Sequence, residues 1–279
     1  MNEDTIGTPV PVGEGISPFV ELPPDATVER AYVHLLKLCL TGLSSPQPFT
    51  AQPVDTRRAV KPAPLADLRR RLRGQDWPID AWTMIGLKRL QNVHECVEDV
   101  IARGVPGDLI ETGVWRGGTT IFMRALLKVH GDTDRTVFVA DSFGGLPPPE
   151  LSQWSEDEGS RFHELSFLRV TREEVEAGFR RFGLLDEQVE FVEGWFQDTL
   201  PCLKDRTWSV IRLDGDMYGS TMTSLENLYP RLSPGGYLII DDYFAVPKCK
   251  RAVHDFRETH AVTEEIQRID WTGVYWRKD

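Results

Sequence analysis

Asp108-Leu-Ile-Glu111-Thr-Gly113-Val-Trp115-Arg-Gly117-Gly118 sets the fold of this chain. A short apolar run ends in an acidic residue, a glycine-rich turn follows, and a helical pattern continues through Thr119–Val129. Glycines at such a turn let the backbone reverse tightly and approach a ligand closely. Taken alone, the turn also fits an ordinary strand-to-helix connection, so its surroundings carry the decision.

Downstream, the same rhythm repeats. Strands are predicted at Thr136–Ala140, Val189–Val192, Trp208–Leu213 and Gly236–Ile240, with a short closing strand near Gly273–Arg277. Helices are predicted at Arg172–Phe182, Thr221–Leu232 and Lys248–His260. Apolar strands alternating with helices imply an α/β fold, a doubly wound, mostly parallel, Rossmann-like sheet covered on both faces. Ligands in such sheets sit beyond the carboxyl ends of the strands.

Upstream, the chain reads as an N-terminal helical extension. Residues 1–25 are rich in Pro, Gly and acidic residues and are expected to form a disordered tail. A helix starts near Asp25 or Thr27, with Tyr32, Leu35, Leu36, Leu38, Cys39 and Leu40 as its apolar stripe. Residues 44–64 read as a long connection. Helices follow at 64–73 and 80–103, the latter with Trp82, Ile85, Leu87, Leu90, Val93, Val97, Val100 and Ile101 on its core face. The expected division is a tail (1–25), a helical extension or lid (26–104) and a catalytic domain (105–279) with an insertion at about 146–170.

The 279 residues, 41% apolar and 27% charged, are enough for a substantial core. A formal net charge of -11 argues against nucleic acid or an anionic membrane as partner. The basic cluster Arg69, Arg70, Arg71 and Arg73 reads as a solvated helix face. Cys39, Cys96, Cys202 and Cys249 are widely spaced and read as free thiols of a reducing compartment. Residues 1–25 lack the apolar run of a secretory signal and nothing approaches a spanning stretch, so a cytoplasmic location is expected.

Glycine would be required at Trp115 for a dinucleotide pyrophosphate to reach the main chain. Glu111, ending strand one, suits a cationic group such as the ammonium of a methionine tail, which favours S-adenosylmethionine over NAD. Asp141, at the end of strand two, is placed for ribose hydroxyls, against the alternative of a turn aspartate before Ser142. Gly194, Trp195, Phe196 and Gln197 follow strand three and offer flat apolar cover and a polar group for adenine. Either aromatic alone reads equally well as a plug at the sheet edge.

Strand four ends in Asp214-Gly-Asp216 and strand five in Asp241-Asp242, and the two strand ends are read as carrying no other charge. Four converging carboxylates would repel unless a hard cation joined them, and all-oxygen ligation suits Mg²⁺. Neither motif holds His or Cys, which disfavours zinc.

The runs IETGVWRGGTT, FVADSFGGLP, GWFQDTLP, IRLDGDMYGSTMTSLENLYPRLSPGGY and IIDDY resemble macrocin (TylF-type) O-methyltransferases, as do DWPIDAWTMIGLKRLQN and AYVHLLKLCLTGL. The likeness runs from about residue 30 to the C-terminus. It implies a class I methyltransferase sheet and methylation of a deoxysugar hydroxyl on a natural product, using S-adenosylmethionine and Mg²⁺, commonly as a homo-oligomer. It further implies Asp214, Asp241 and Asp242 as metal ligands and Asp216 as general base. Glu111, Thr112, Gly113, Gly117, Asp141, Ser142, Gly194, Trp195, Phe196, Gln197 and Asp214 are the residues expected to hold the cofactor. The stretch Leu151–Arg169 looks like the family's lid region but carries its own residues; Trp154, Phe162 and His163 are candidate acceptor contacts there, against ordinary lid packing for each, and His163 reads equally well as a surface residue.

A sugar hydroxyl is taken as about as weak an acid as water, whereas an aspartate titrates near 3.9, so full proton transfer would cost about 16 kcal/mol. Metal coordination with proton removal concerted with methyl attack avoids a free alkoxide. Two rivals stay open: a catechol-like enzyme, which apolar wedges in the acceptor pocket would favour, and a non-catalytic S-adenosylmethionine-binding protein.

Overall fold

The computed structural model describes residues 22–44 and 68–279. Most of the expected tail (1–25) and the connection at 44–64 lie outside the described residues. Three helices precede the sheet: α1 (Val28–Leu40), α2 (Leu68–Arg73) and α3 (Leu87–Ala102). Then come β1 (Asp108–Thr112), α4 (Gly118–Val129), β2 (Val137–Asp141), an insertion of short 3₁₀ turns between residues 155 and 168, and α5 (Arg172–Arg181). The chain continues through β3 (Val189–Glu193), α6 (Phe196–Thr199), β4 (Trp208–Leu213), α7 (Tyr218–Leu228), β5 (Leu232–Ile240), α8 (Pro247–Thr259), β6 (Gln267–Arg268) and β7 (Val274–Arg277).

The sheet order is β3-β2-β1-β4-β5-β7-β6. β1 to β5 are parallel, and β7 pairs antiparallel with β5. The order reverses between β1 and β4, where doubly wound sheets open a crevice at their carboxyl ends. Period-two alternation sends Leu109, Val137, Val139, Val210 and Ile239 to the face under α1, α3, α4 and α5. Ile110, Phe138, Ala140, Ile211, Leu238 and Ile240 face α7 and α8. Among the described residues no helix is long and apolar enough to cross a membrane.

Several expected elements move. α3 begins at Leu87 behind the cap residue Gly86, so Trp82 and Ile85 pack from the preceding segment. The buried face of α1 is Val33, Leu36, Lys37 and Leu40, while Tyr32 and Leu35 are 38% and 56% exposed. Apolar residues on both sides of this helix hid its phase, because the Lys37 ammonium is buried over Phe122 and bonded to Gln91 and His94. Thr27 is the N-cap. The basic cluster is not wholly solvated: Arg71 is fully buried, paired with Asp76 at 2.9 Å and donating to the carbonyls of Met84 and Ile85. α7 starts earlier than expected and gives way at Tyr229-Pro-Arg231 to a 3₁₀ turn, because proline cannot continue the α-helix.

Candidate active site

Hydrogen bonds run one residue past the strands and align their ends. The amides of Gly194, Gly113, Asp214 and Asp241 donate to the carbonyls of Asp141, Ala140, Thr112 and Leu213 in turn, each at 2.9 Å. Gly194, Asp141, Gly113, Asp214 and Asp241 therefore form a row along the carboxyl edge. Gly113 (φ +82°) is required there, since a Cβ would lie 1.9 Å from the Asp214 carbonyl oxygen.

Two adjoining cavities open on this row. One, with about 680 Å³ of empty space including its mouth, is lined by Gly113, Asp141, Ser142, Gly194, Trp195, Phe196, Gln197, Asp214 and Asp216. Most of the residues expected at a cofactor thus meet in one pocket. Asp141 also holds the turns together: its carboxylate accepts from the amides of Val114 and Phe143, both at 2.8 Å. Burial raises its pKa, and those amide bonds act against the rise. Ser142 Oγ donates to the Gly145 carbonyl at 2.7 Å. Thr112, fully buried, and Gly117, the left-handed N-cap of α4, do not line this pocket.

The second cavity, about 1480 Å³ including its mouth, shares Met84, Trp115, Leu168, Asp214 and Asp216 with the first. Its floor is Glu111, Asp214, Asp216, Asp241 and Asp242, and Gln75, Trp77, Phe162 and Trp271 stand among its walls. One carboxylate oxygen each from Asp214, Asp241 and Asp242 lies within 4.8 Å of the others. That oxygen-only set fits a hard divalent cation. Asp216 has φ +54°, and its amide donates to Asp242 Oδ2 at 3.3 Å. Burial, then the charges of Asp214 and Asp241, push its carboxyl up to about 8. Burial and the charges of Asp216, Asp214 and Asp241 likewise raise Asp242.

Two arginines overturn the expectation of an otherwise uncharged edge. Arg212, inside β4, is 1% exposed; it bonds Glu111 and Asp241, and Asp214 at 2.9 Å. Arg89, from α3, bonds the other oxygen of Asp241, Asp270 at 3.1 Å and the Gly74 carbonyl. Glu111 lines the second cavity rather than the first; Arg212 bonds its Oε1, while its buried Oε2 has no hydrogen-bond partner among the described residues. Burial raises the Glu111 carboxyl to about 8 against the pull of Arg212. A charged residue within the apolar strand Trp208–Leu213 was the available signal for Arg212. Arg89, 152 positions from Asp241, gave none.

Of the three lid candidates, only Phe162 lines the second cavity. His163 is exposed. Trp154 packs against Tyr218 and Gly219 at the start of α7. Trp115 packs against Phe167 with the rings tilted by 43°, and Phe167 stacks on Trp77, so the insertion, the glycine turn and the N-terminal region meet at one wall.

The Macrocin-O-methyltransferase (TylF) family profile matches residues 43–278. The chain belongs to the macrocin O-methyltransferase family. It is 53% identical over 247 residues to 8-demethyl-8-(2,3-dimethoxy-alpha-L-rhamnosyl)-tetracenomycin-C 4'-O-methyltransferase of Streptomyces olivaceus, covering 88% of this chain and 92% of that one. With mycinamicin III 3''-O-methyltransferase of Micromonospora griseorubida it shares 49% identity over 208 residues, 74% of this chain and 82% of the other. The solved O-methyltransferase NovP superposes with a TM-score of 0.82 at 45% identity, covering 90% of this chain and 99% of that one. This member of the macrocin O-methyltransferase family is thus an O-methyltransferase, with the class I Rossmann-like sheet of that group. The two named relatives methylate different positions, 4' and 3'', so similarity at this level does not fix the hydroxyl.

Proposed function

We propose that the enzyme transfers the methyl group of S-adenosylmethionine to a sugar hydroxyl on a natural product, with Mg²⁺ held by Asp214, Asp241 and Asp242. The observation that carries this reading is the trio of carboxylates within 4.8 Å in the second cavity, one of which, Asp214, also lines the first. The second cavity sets polar groups, Gln75, Thr83, Arg89 and Thr119 among them, beside apolar walls of Trp77, Trp115, Phe162 and Trp271, a mixture suited to a sugar carried on an apolar scaffold. The 53%-identical relative is named for a rhamnosyl acceptor.

In this reading the first cavity holds the methyl donor. Trp195 and Phe196 cover the adenine, Gln197 addresses its polar edge, and Gly113 and Gly194 leave room for close approach. Asp141 accepts from the amides of Val114 and Phe143 and, at 3.5 Å, from Ser142 Oγ; a carboxylate offers about four acceptor sites, and the remaining capacity would serve a ribose hydroxyl. Bound Mg²⁺ supplies Lewis acidity that lowers the acceptor hydroxyl's pKa. Asp216, on the edge of both cavities, takes the hydroxyl proton as the oxygen–carbon bond forms and the sulfur–carbon bond breaks. Arg212 and Arg89 orient Asp241 and limit repulsion among the carboxylates.

The test is S-adenosylhomocysteine formation by purified enzyme with S-adenosylmethionine, Mg²⁺ and a panel of deoxysugar glycosides beside simple catechols. Turnover of a glycoside with the new methyl on a sugar oxygen is expected. Turnover of phenols alone would overturn the sugar assignment.

A further inference from the structure

The insertion between β2 and α5 sends a buried carboxylate to the start of α7. Asp157, 1% exposed, accepts from the amide of Tyr218 through Oδ1 and of Gly219 through Oδ2, both at 2.9 Å and from more than sixty positions away. α7 makes no side-chain cap of its own, because its N-cap residue is Met217. The first amides of a helix have no partner within it, so the insertion supplies the cap that the local sequence omits.

The same segment is fixed on several sides. The Trp154 ring fills the space beside Gly219, where a Cβ would come within 2.4 Å of it. Lys248 of α8 donates to the Glu158 carbonyl at 2.6 Å, and Arg251 pairs with Glu156 at 3.2 Å. Directly before the capped turn stands Asp216, in a left-handed conformation that a non-glycine residue adopts only when its surroundings impose it. Its other restraints are the amide bond to Asp242 and the tight turn from Met217 to the Gly215 carbonyl. The far end of the insertion, Phe162 and Leu168, lines the acceptor cavity, and Leu168 also lines the cofactor pocket.

We infer that Asp157 is a positioning residue for methyl transfer: by capping α7 it fixes the direction of Asp216 and couples it to the insertion that walls both cavities. The inference rests on Asp216 as the base. Asp157 touches neither cavity, so its removal acts on the chemical step more than on binding.

The experiment compares wild type, Asp157→Ala, Asp157→Asn, Asp216→Asn and the double variant Asp157→Ala/Asp216→Asn. With Asp157→Ala, kcat should fall by about 10- to 100-fold, the scale of a small misplacement of a catalytic group. Acceptor KM and the affinities for S-adenosylmethionine and Mn²⁺ should change by no more than about 2-fold, the scatter of independent sites. Hydrogen exchange at the Tyr218 and Gly219 amides should quicken in the ligand-free protein. Asp157→Asn, with one acceptor oxygen, should fall between; if the alanine variant does not fold, it carries the same measurements. In single turnover, adding Asp157→Ala to Asp216→Asn should cost nothing further. A folded Asp157→Ala enzyme with wild-type kcat overturns the inference, and so does a full additional loss in the double variant. Wild-type kcat in Asp216→Asn alone removes the base assignment, and the inference with it.

Discussion

Arg212 on β4 bonds Asp241 at the end of β5 while holding Glu111 on β1, so one buried guanidinium spans the crevice where the strand order reverses. Pairing register explains why they meet: Glu111 lies opposite Arg212, and Asp241 stands two residues beyond its other neighbour, Ile239, on the same face. Arg212→Met should leave Glu111 without its cation and Asp241 with Arg89 alone. Breaking a buried pair from one side costs about 3–5 kcal/mol. Urea unfolding should register that loss, and adding Glu111→Gln should recover part of it. A loss below about 1 kcal/mol, the scale of an exposed pair, would show that Arg212 does not hold the edge together.

Metal dependence has a direct check. Exhaustive chelation should abolish turnover and Mg²⁺ should restore it. Asp242 lines only the acceptor cavity, whereas Asp214 lines both, so Asp242→Asn separates metal from donor binding more cleanly. Mn²⁺ titration should show weakened metal binding in Asp242→Asn, with S-adenosylmethionine affinity retained by calorimetry. Full activity in metal-free buffer would refute the carboxylate trio as a metal site.

Asp216→Asn keeps the shape of the side chain and cannot take the proton. Loss of a general base costs about 10²–10⁴-fold, and kcat should fall by that order with Mn²⁺ affinity little changed. Period-two alternation would carry Asp214 and Asp216 to one face of a continuing strand, yet β4 stops at Leu213. The left-handed turn at Asp216 is what brings it to the shared edge. Metal affinity lost as severely as in Asp242→Asn would make Asp216 a ligand instead.

Asp141 offers a different contrast. Asp141→Ala removes the acceptor of two backbone amides as well as the proposed ribose contact, and should weaken S-adenosylmethionine binding by about 1.5–3 kcal/mol. Asp141→Asn should rescue little, because its amino group would face one of the two amide donors. Calorimetry decides; unchanged affinity in a folded alanine variant would exclude both roles.

Lys37 should give the fold a stability gain in alkali. Burial lowers its pKa from 10.5 to about 8, while Glu98 and Glu95 oppose the shift, with Gln91 and His94 as hydrogen-bond partners. Below pH 8 the lysine is charged in both states and the burial penalty is complete. Between pH 8 and 10.5 the unfolded chain binds the extra proton, so stability rises with pH. The full span corresponds to about 3 kcal/mol at 1.36 kcal/mol per unit. Urea midpoints of wild type should therefore gain on those of Lys37→Met across this window. Parallel pH profiles would contradict the assignment.

The alternation of apolar strands with helices determined the sheet, because a parallel strand buried on both faces must read as a continuous apolar run. The same logic put Gly113, Asp141, Gly194, Asp214 and Asp241 at strand ends, and strand ends are where doubly wound sheets bind. Family likeness added the chemistry. Tertiary structure alone decided what compensates those charges. Arg89 reaches Asp241 from a helix 152 positions away, and no local pattern encodes such a contact. It also turned Trp154 from a candidate acceptor contact into packing against α7, and made Asp157 the cap of a helix whose own sequence has none. Periodicity reports which face of an element is buried; which side chain meets it from a distant segment depends on how the elements pack, and for Arg89, Arg212 and Asp157 that packing is where the positioning of the site resides.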